Sequence, residues 1–225
     1  MTEALYDNLI AKDRWLYLIR GLGTTLTITF FAVILGIILG FLVAIIRSTY
    51  EKTHKLKILN VVCQIYLTVI RGTPVIVQLL IMYYIVFVSM SSKVFVAVIA
   101  FGINSGAYVA EIIRGGIMSI DNGQFEGGRS LGFSYVQTMI YIILPQVFKN
   151  VLPALANEFI VLLKETSVSG YIALQDLTKG GDIIRSQTYN AYVPLLLVAA
   201  IYLCMVMIFT YLVKQLERRL RNSER

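Results

Sequence analysis

EGGRSLGFSYVQTMIYIILP, residues 126–145, is the longest polar interruption in the middle of an otherwise apolar chain. Its local chemistry reads as two helices around a turn. Asp121 or Asn122 can cap a first helix over 123–131, and Gly132 ends it. Ser134 followed by Gln137 has the spacing of a capping box for a second helix. Gly132 permits a sharp turn, and Pro145 is expected to fix where the next element starts. A helix-turn-helix of this outline could suggest DNA binding. The segment is nearly neutral, however, and it is wedged between apolar runs, so no nucleic-acid partner is expected.

Those runs set the class. Of 225 residues 57% are hydrophobic, and the mean hydropathy is +0.74. That suits a single polytopic membrane domain over 1–225, with 115–145 as the polar segment in its middle, better than a soluble domain. The net charge of +7 fits basic loops on the inner membrane face. Cys63 and Cys204 both lie in apolar stretches and read as small packing residues. The N-terminus has no signal-peptide pattern.

Five spans are expected, each set by the ~20 apolar residues that a bilayer requires. Residues 5–18 mix charge with Leu5, Leu9, Arg14 and Trp15, which suggests a short interfacial helix. The first span covers 22–46, where Ala32, Gly36, Gly40 and Ala44 form a small-residue stripe suited to close packing on other helices. A polar loop over 47–57 holds His54, the only histidine, with no partner ligands. The second span, 56–88, is overlong and should kink or break at Thr73-Pro74. The third, 94–113, carries Asn104, Ser105, Tyr108 and Glu111, and Glu111 should pair with Arg114. The fourth covers 147–163, and 164–190 reads as a polar outer segment with Gly170, Gly180 and Gly181. The fifth covers 192–213, ahead of a basic tail of Lys214, Arg218, Arg219, Arg221 and Arg225.

With the N-terminus outside and the C-terminus cytoplasmic, inner segments hold 12 Lys/Arg and outer segments 7. This multi-pass orientation puts 126–145 in the cytoplasm. The chain has no GxxxxGK[ST] run and no Ser-His-Asp, HExxH or CxxC constellation. It is therefore not expected to be an enzyme, and its energy should come from a partner or a gradient.

Seven positions of the opening stretch (Glu126, Gly127, Gly128, Gly132, Ile142, Leu144 and Pro145) match the spacing of the EAA loop. The chain thus resembles permease subunits of ABC importers. Arg71-Gly72-Thr73-Pro74-Val75 with Gln78-Leu79, the run from Tyr108 to Gly116, and Asn157-Glu158-Phe159 with Leu163-Lys164-Glu165-Thr166-Ser167 look like the polar-amino-acid uptake branch. One departure is Gly127-Gly128, where the wider superfamily often has Ala-Ala. The resemblance implies an all-α type I importer permease fold with five transmembrane helices and a cytoplasmic coupling helix in the cell membrane. It also implies ATP-binding cassette subunits docking through Glu126, Gly127, Gly128, Gly132 and Pro145, with ATP and Mg bound by those partners and no cofactor in this chain. A second permease subunit, an extracytoplasmic amino-acid-binding protein and a polar amino acid substrate complete the implied set.

Ionisable and amide groups inside spans are expensive, which makes them functional candidates. Glu158 lies 13 residues after Pro145, roughly 20 Å along a helix. A carboxylate at that depth requires a cation. Two readings stand: it meets a substrate ammonium, which leans toward basic amino acids, or it is structural, bonded to Arg71, Asn104 or a neighbouring subunit. Asn157 is a further substrate-binding candidate, but it points about 100° away from Glu158, so the two need not share a face and one of them can be structural. Gln78 and Asn104 are further candidates for lining the path, and Arg71 could gate or snorkel. Lys164-Glu165-Thr166 should reach the outer surface within touch of a delivering protein. A gradient-driven carrier or channel is the rival class, but neither paired intramembrane charges nor inverted repeats support it.

Overall fold

The computed structural model describes residues 6–222, which form an all-helical bundle with no strand among them. Leu5 and Arg225, named above, lie outside the described residues. Four helices are long and apolar enough to cross a membrane, and a bent pair makes a fifth crossing if its halves count as one span.

The first long helix, α1 (Trp15–Thr53), has 39 residues. At 1.5 Å per residue it is about 58 Å long, nearly twice the hydrocarbon thickness. It absorbs what the sequence suggested were two flanking elements. In place of an interfacial helix over 5–18 there are two short turns, Tyr6–Ile10 and Ala11–Asp13, and α1 has already begun at Trp15. In place of a loop from Arg47, the helix continues to Thr53. His54 then stops it in the left-handed conformation (φ 55°), its N–H donating to Tyr50 O. The polar run from Arg47 to Thr53 holds no Gly or Pro, so nothing in it breaks the helix before His54.

The small-residue stripe is buried at all four positions, but inside this chain. It packs on α4 (Lys93–Met118), the most enclosed helix, with 67% of its apolar window buried. A Cβ on Gly36 would lie 2.9 Å from Ser105 Oγ, so the helices touch backbone to side chain. The close packing expected of the stripe is thus met within this chain.

Between α1 and α4 the chain forms α2 (Lys57–Gly72) and α3 (Val75–Val86), bent by 109° across Thr73 and Pro74. The break expected at Thr73-Pro74 is there. Thr73 and Pro74 are extended, as the proline ring demands of its predecessor.

After α4, α5 (Asn122–Ser130) is capped by Asp121, whose side chain accepts from Gly123 N at 2.7 Å. Gly132 turns the chain at φ +84°, a value only glycine adopts without strain. Ser134 and Gln137 form the capping box. The helix they open, α6 (Tyr135–Ile172), does not stop outside the membrane but runs on as a span. Pro145 stands in the first turn of the α-helical run Leu144–Glu165, so it marks where that run starts within the continuous span. It follows a wide π-turn, Met139–Ile143, which loosens the ladder where the proline lacks an N–H and crowds the preceding turn.

Residues 164–190 are built rather than loop-like. The end of α6 tightens over Thr166–Ile172, and α7 (Leu177–Thr188) buries Leu177, Gly180, Gly181 and Ile184. Asp176 caps α7, accepting from Thr178 N at 3.1 Å and Lys179 N at 3.0 Å. The last helix, α8 (Tyr192–Asn222), lies at the periphery, with 6% of its apolar window buried. Cys63 is buried, whereas Cys204 is exposed on α8 and does not serve as a packing residue within this chain.

Candidate functional site

Three polar groups stand out along the bundle. The first is the docking segment. Glu126 is exposed in the second turn of α5 and caps nothing, since Asp121 does that. It shares a cavity of about 520 Å³ with Lys52, Arg129 and Tyr135. Gly127 faces open space, whereas Gly128 is buried, and a Cβ there would sit 2.7 Å from both Thr138 Cγ2 and Oγ1. Gly128 thus seats α5 on the first turns of α6. Pro145 is exposed. Lys52, at the overlooked end of α1, donates to Asn122 Oδ1 at 2.8 Å and lies 4.8 Å above the Phe125 ring. Its only sequence signal was its place just beyond an apolar run.

The segment also presents apolar side chains outward. Leu131 is 75% exposed, and Phe133 and Val136 are exposed beside it. Three residues join α4 to α5, and three residues with Gly132 in the middle of the turn join α5 to the capping Ser134. A push on α5 therefore reaches two spans directly.

The second group lies inside the bundle. Glu158 is buried, and its Oε1 accepts from Ser105 Oγ at 3.0 Å. Neither Arg71 nor Asn104 bonds it, and among the described residues it has no ion pair. Asn157, its neighbour, is exposed on another face of α6, as a 100° step requires. The structure brings Glu158 to Ser105 and leaves Asn157 outside that site.

Gln78 and Asn104 are brought together, Asn104 Nδ2 donating to Gln78 Oε1 at 3.0 Å. Gln78 Nε2 lies within reach of Ile70 O (2.7 Å), Thr73 Oγ1 (2.8 Å) and Thr73 O (3.1 Å). The two carbonyls are the groups that the bend strips of helical partners, while the Thr73 hydroxyl itself donates to Val69 O at 2.8 Å. The amide therefore holds the broken end of α2 inside an apolar setting, where unpaired carbonyls are costly. Asn104 Oδ1 remains buried with no hydrogen-bond partner.

The third group sits at the end of the bundle that carries α5. Glu111 pairs with Arg114 as the sequence indicated, at 3.0 Å, and also with Arg47 of α1 at 3.0 Å. Glu51 joins through Arg47 (3.8 Å) and Arg114 (3.5 Å). Arg71 stands 4.0 Å from Glu111 and 5.6 Å from the centre of the Tyr108 ring. Arg47 lies on α1, not in a loop, because the helix continues to Thr53. At the opposite end, Lys164 is exposed but Thr166 is fully buried, so only part of Lys164-Glu165-Thr166 meets the outside. Beyond it, Lys179 and Arg185 both pair with Asp182, which holds that carboxyl below its usual range. Among the described residues no group of His, Cys, Asp and Glu could hold a metal.

Comparison with known proteins fits this geometry. The family model described as binding-protein-dependent transport system inner membrane component matches residues 32–222. The putative glutamine transport system permease protein GlnP of Rickettsia typhi is 39% identical over 208 residues, spanning 91% of this chain and 93% of that protein. The arginine transport system permease protein ArtQ of Bacillus subtilis is 36% identical over 212 residues, spanning 92% and 94%. A crystal structure of an amino acid ABC transporter with histidines superimposes with a TM-score of 0.82 at 44% identity, covering 90% of this chain and 94% of that one.

Proposed function

This chain belongs to the binding-protein-dependent transport system inner membrane components, and from that premise we propose that it forms the translocation pathway of an ATP-driven importer for polar amino acids. The observation that carries the reading is the docking segment. A short helix with outward apolar residues is seated by Gly128 on a span and joined by three residues to another. Exposed Leu131 and Val136 on a polar projection suit a protein partner better than water.

The partner is an ATP-binding cassette subunit that binds ATP and Mg and docks around Glu126, Gly127, Gly128 and Gly132. Pro145, ten residues into α6, shapes the span that the docking moves. This chain is itself no enzyme. A second permease subunit completes the pathway, and an extracytoplasmic binding protein delivers the amino acid. The N-terminus lies outside and the C-terminus in the cytoplasm, so that the +7 charge collects on the inner face.

Glu158 is the substrate's cation partner. A buried carboxylate held by a single hydroxyl has most of its lone pairs unused, and an ammonium or guanidinium fills that demand. Asn104 Oδ1 is a further acceptor for the same purpose. Gln78 acts by holding the bend next to it, and Asn157 faces outward, where the second subunit or lipid meets it.

The test is reconstitution with the cognate ATPase subunits and binding protein in proteoliposomes, comparing wild type with Glu158→Gln. Wild type should show vanadate-sensitive uptake of glutamine or arginine. Glu158→Gln should keep stimulated ATP hydrolysis and lose uptake. Uptake by wild type without the ATPase subunits would overturn the importer reading, and full uptake by Glu158→Gln would remove Glu158 from the site.

A further inference from the structure

Helix α2 is two-faced. Ile58, Val62, Ile65 and Val69 make an exposed apolar stripe, while Gln64, Thr68 and Arg71 recur at i, i+4 and i+7 on the other side. The polar face lines an open cavity of about 570 Å³, which Arg47 of α1 and Glu111 of α4 also line. A polar stripe on an otherwise apolar helix, turned to a cavity, marks a route for a polar solute rather than a lipid face.

The charges there are unequal. Three guanidiniums (Arg47, Arg71 and Arg114) meet two carboxylates (Glu51 and Glu111), which leaves one positive charge over. Glu111 gives Oε1 to Arg47 and Oε2 to Arg114, each at 3.0 Å, so both its oxygens are engaged. Arg71 is the odd one out. At 4.0 Å from Glu111 it is beyond hydrogen-bond reach, and among the described residues it has no hydrogen-bond partner. The Tyr108 ring, 5.6 Å away, braces the guanidinium without using its N–H groups.

We propose that this cavity is a carboxylate-binding station in which Arg71 takes the α-carboxylate of the transported amino acid after it leaves Glu158. The inference rests on the transport reading above and adds a second residue that touches the substrate. A guanidinium presents two parallel N–H donors that match a carboxylate, which a lone ammonium cannot do. Glu111 is a poor competitor for the substrate's ammonium, because the guanidiniums of Arg47 and Arg114 already balance its charge and take three of its roughly four acceptor sites. The two stations are filled in turn. Ser105 and Glu111, which mark them on α4, are six residues apart, or about 9 Å. The α-amino and α-carboxylate groups share one carbon and cannot reach both.

The test measures equilibrium binding to the full transporter in nanodiscs, with ATPase subunits and without nucleotide. The probes are L-arginine against L-argininamide, and L-glutamine against its α-amide. Wild type should bind the acids about tenfold or more tighter than the amides, the scale of one charge-assisted hydrogen bond. Arg71→Gln should collapse that preference to within about threefold, and Arg71→Lys should leave it between the two. A merely structural Arg71 would weaken acid and amide alike, so an unchanged ratio in Arg71→Gln overturns the proposal. If Arg71→Gln does not assemble, Arg71→Lys decides on the same ratio, and an unchanged value overturns the proposal there too. If wild type binds neither amino acid and shows no ATP-driven uptake, the transport reading falls and the station falls with it. If wild type transports but does not distinguish acid from amide, only the station falls.

Discussion

Replacing Gln78 with methionine keeps the volume of the side chain and removes its amide. The loss can be counted from the structure. Nε2 has two hydrogens, so of its three neighbours (Ile70 O, Thr73 Oγ1 and Thr73 O) it satisfies two at a time. Oε1 accepts one further bond from Asn104 at 3.0 Å. Three hydrogen bonds are therefore lost. At about 0.6 kcal/mol per bond, the membrane average, the cost is about 2 kcal/mol. At about 1 kcal/mol per bond, with the Ile70 carbonyl left unpaired at the bend, it is about 3 kcal/mol. Asn104→Ala should cost about 1 kcal/mol, the single bond to Gln78. In the Gln78→Met background Asn104→Ala should cost less, because the bond they share is already gone. Equilibrium unfolding in mixed micelles, read by Trp15 fluorescence or circular dichroism, supplies the three values. A Gln78→Met variant within about 0.5 kcal/mol of wild type would refute the claim that this amide holds the break. Strictly additive costs would refute the Gln78–Asn104 pairing.

Two further perturbations test other parts of the structure. Gly128→Val should lower stability by about 1–3 kcal/mol and weaken stimulation of the ATPase partner, because the new side chain drives into Thr138. Gly127→Ala points into open space and should hold or raise stability by up to ~1 kcal/mol through helix propensity, so equal thermal midpoints for the two variants would count against the observed seating of α5. Asp176, capping α7, is pushed up to about 6 from 3.8 by burial, against the pull of the backbone N–H groups it accepts. A folded pKa above the unfolded one means the native state binds the extra proton between pH 4 and 6, so this group's contribution to stability falls as pH rises through that window. Asp176→Asn should therefore gain on wild type, by on the order of 3 kcal/mol, between pH 4 and 7. Asp182 titrates with the opposite sign but is common to both proteins and cancels; a flat difference across that range would sink the assignment.

The sequence alone determined the features that depend on neighbouring residues. Hydropathy located the apolar runs, because each one must shield its own backbone from lipid. Thr73-Pro74 broke its helix, Asp121 and the Ser134–Gln137 pair capped theirs, and Gly132 turned the chain, each through groups a few residues apart. The spacing of the EAA-like positions was legible for the same reason. Helix lengths were less so. Nothing in the local chemistry said that α1 runs on to Thr53 or that the capping box opens a span rather than a short surface helix. Only the tertiary structure decided which polar group meets which. Glu158 found Ser105, 53 residues away, and Arg47 reached Glu111 across 64. It also assigned the Ala32–Gly36–Gly40–Ala44 stripe to α4 of the same chain. Such pairings depend on the rotation and axial register of each helix against its neighbours. A helix turns 100° per residue, so a small change in either would face Glu158 with a different side chain.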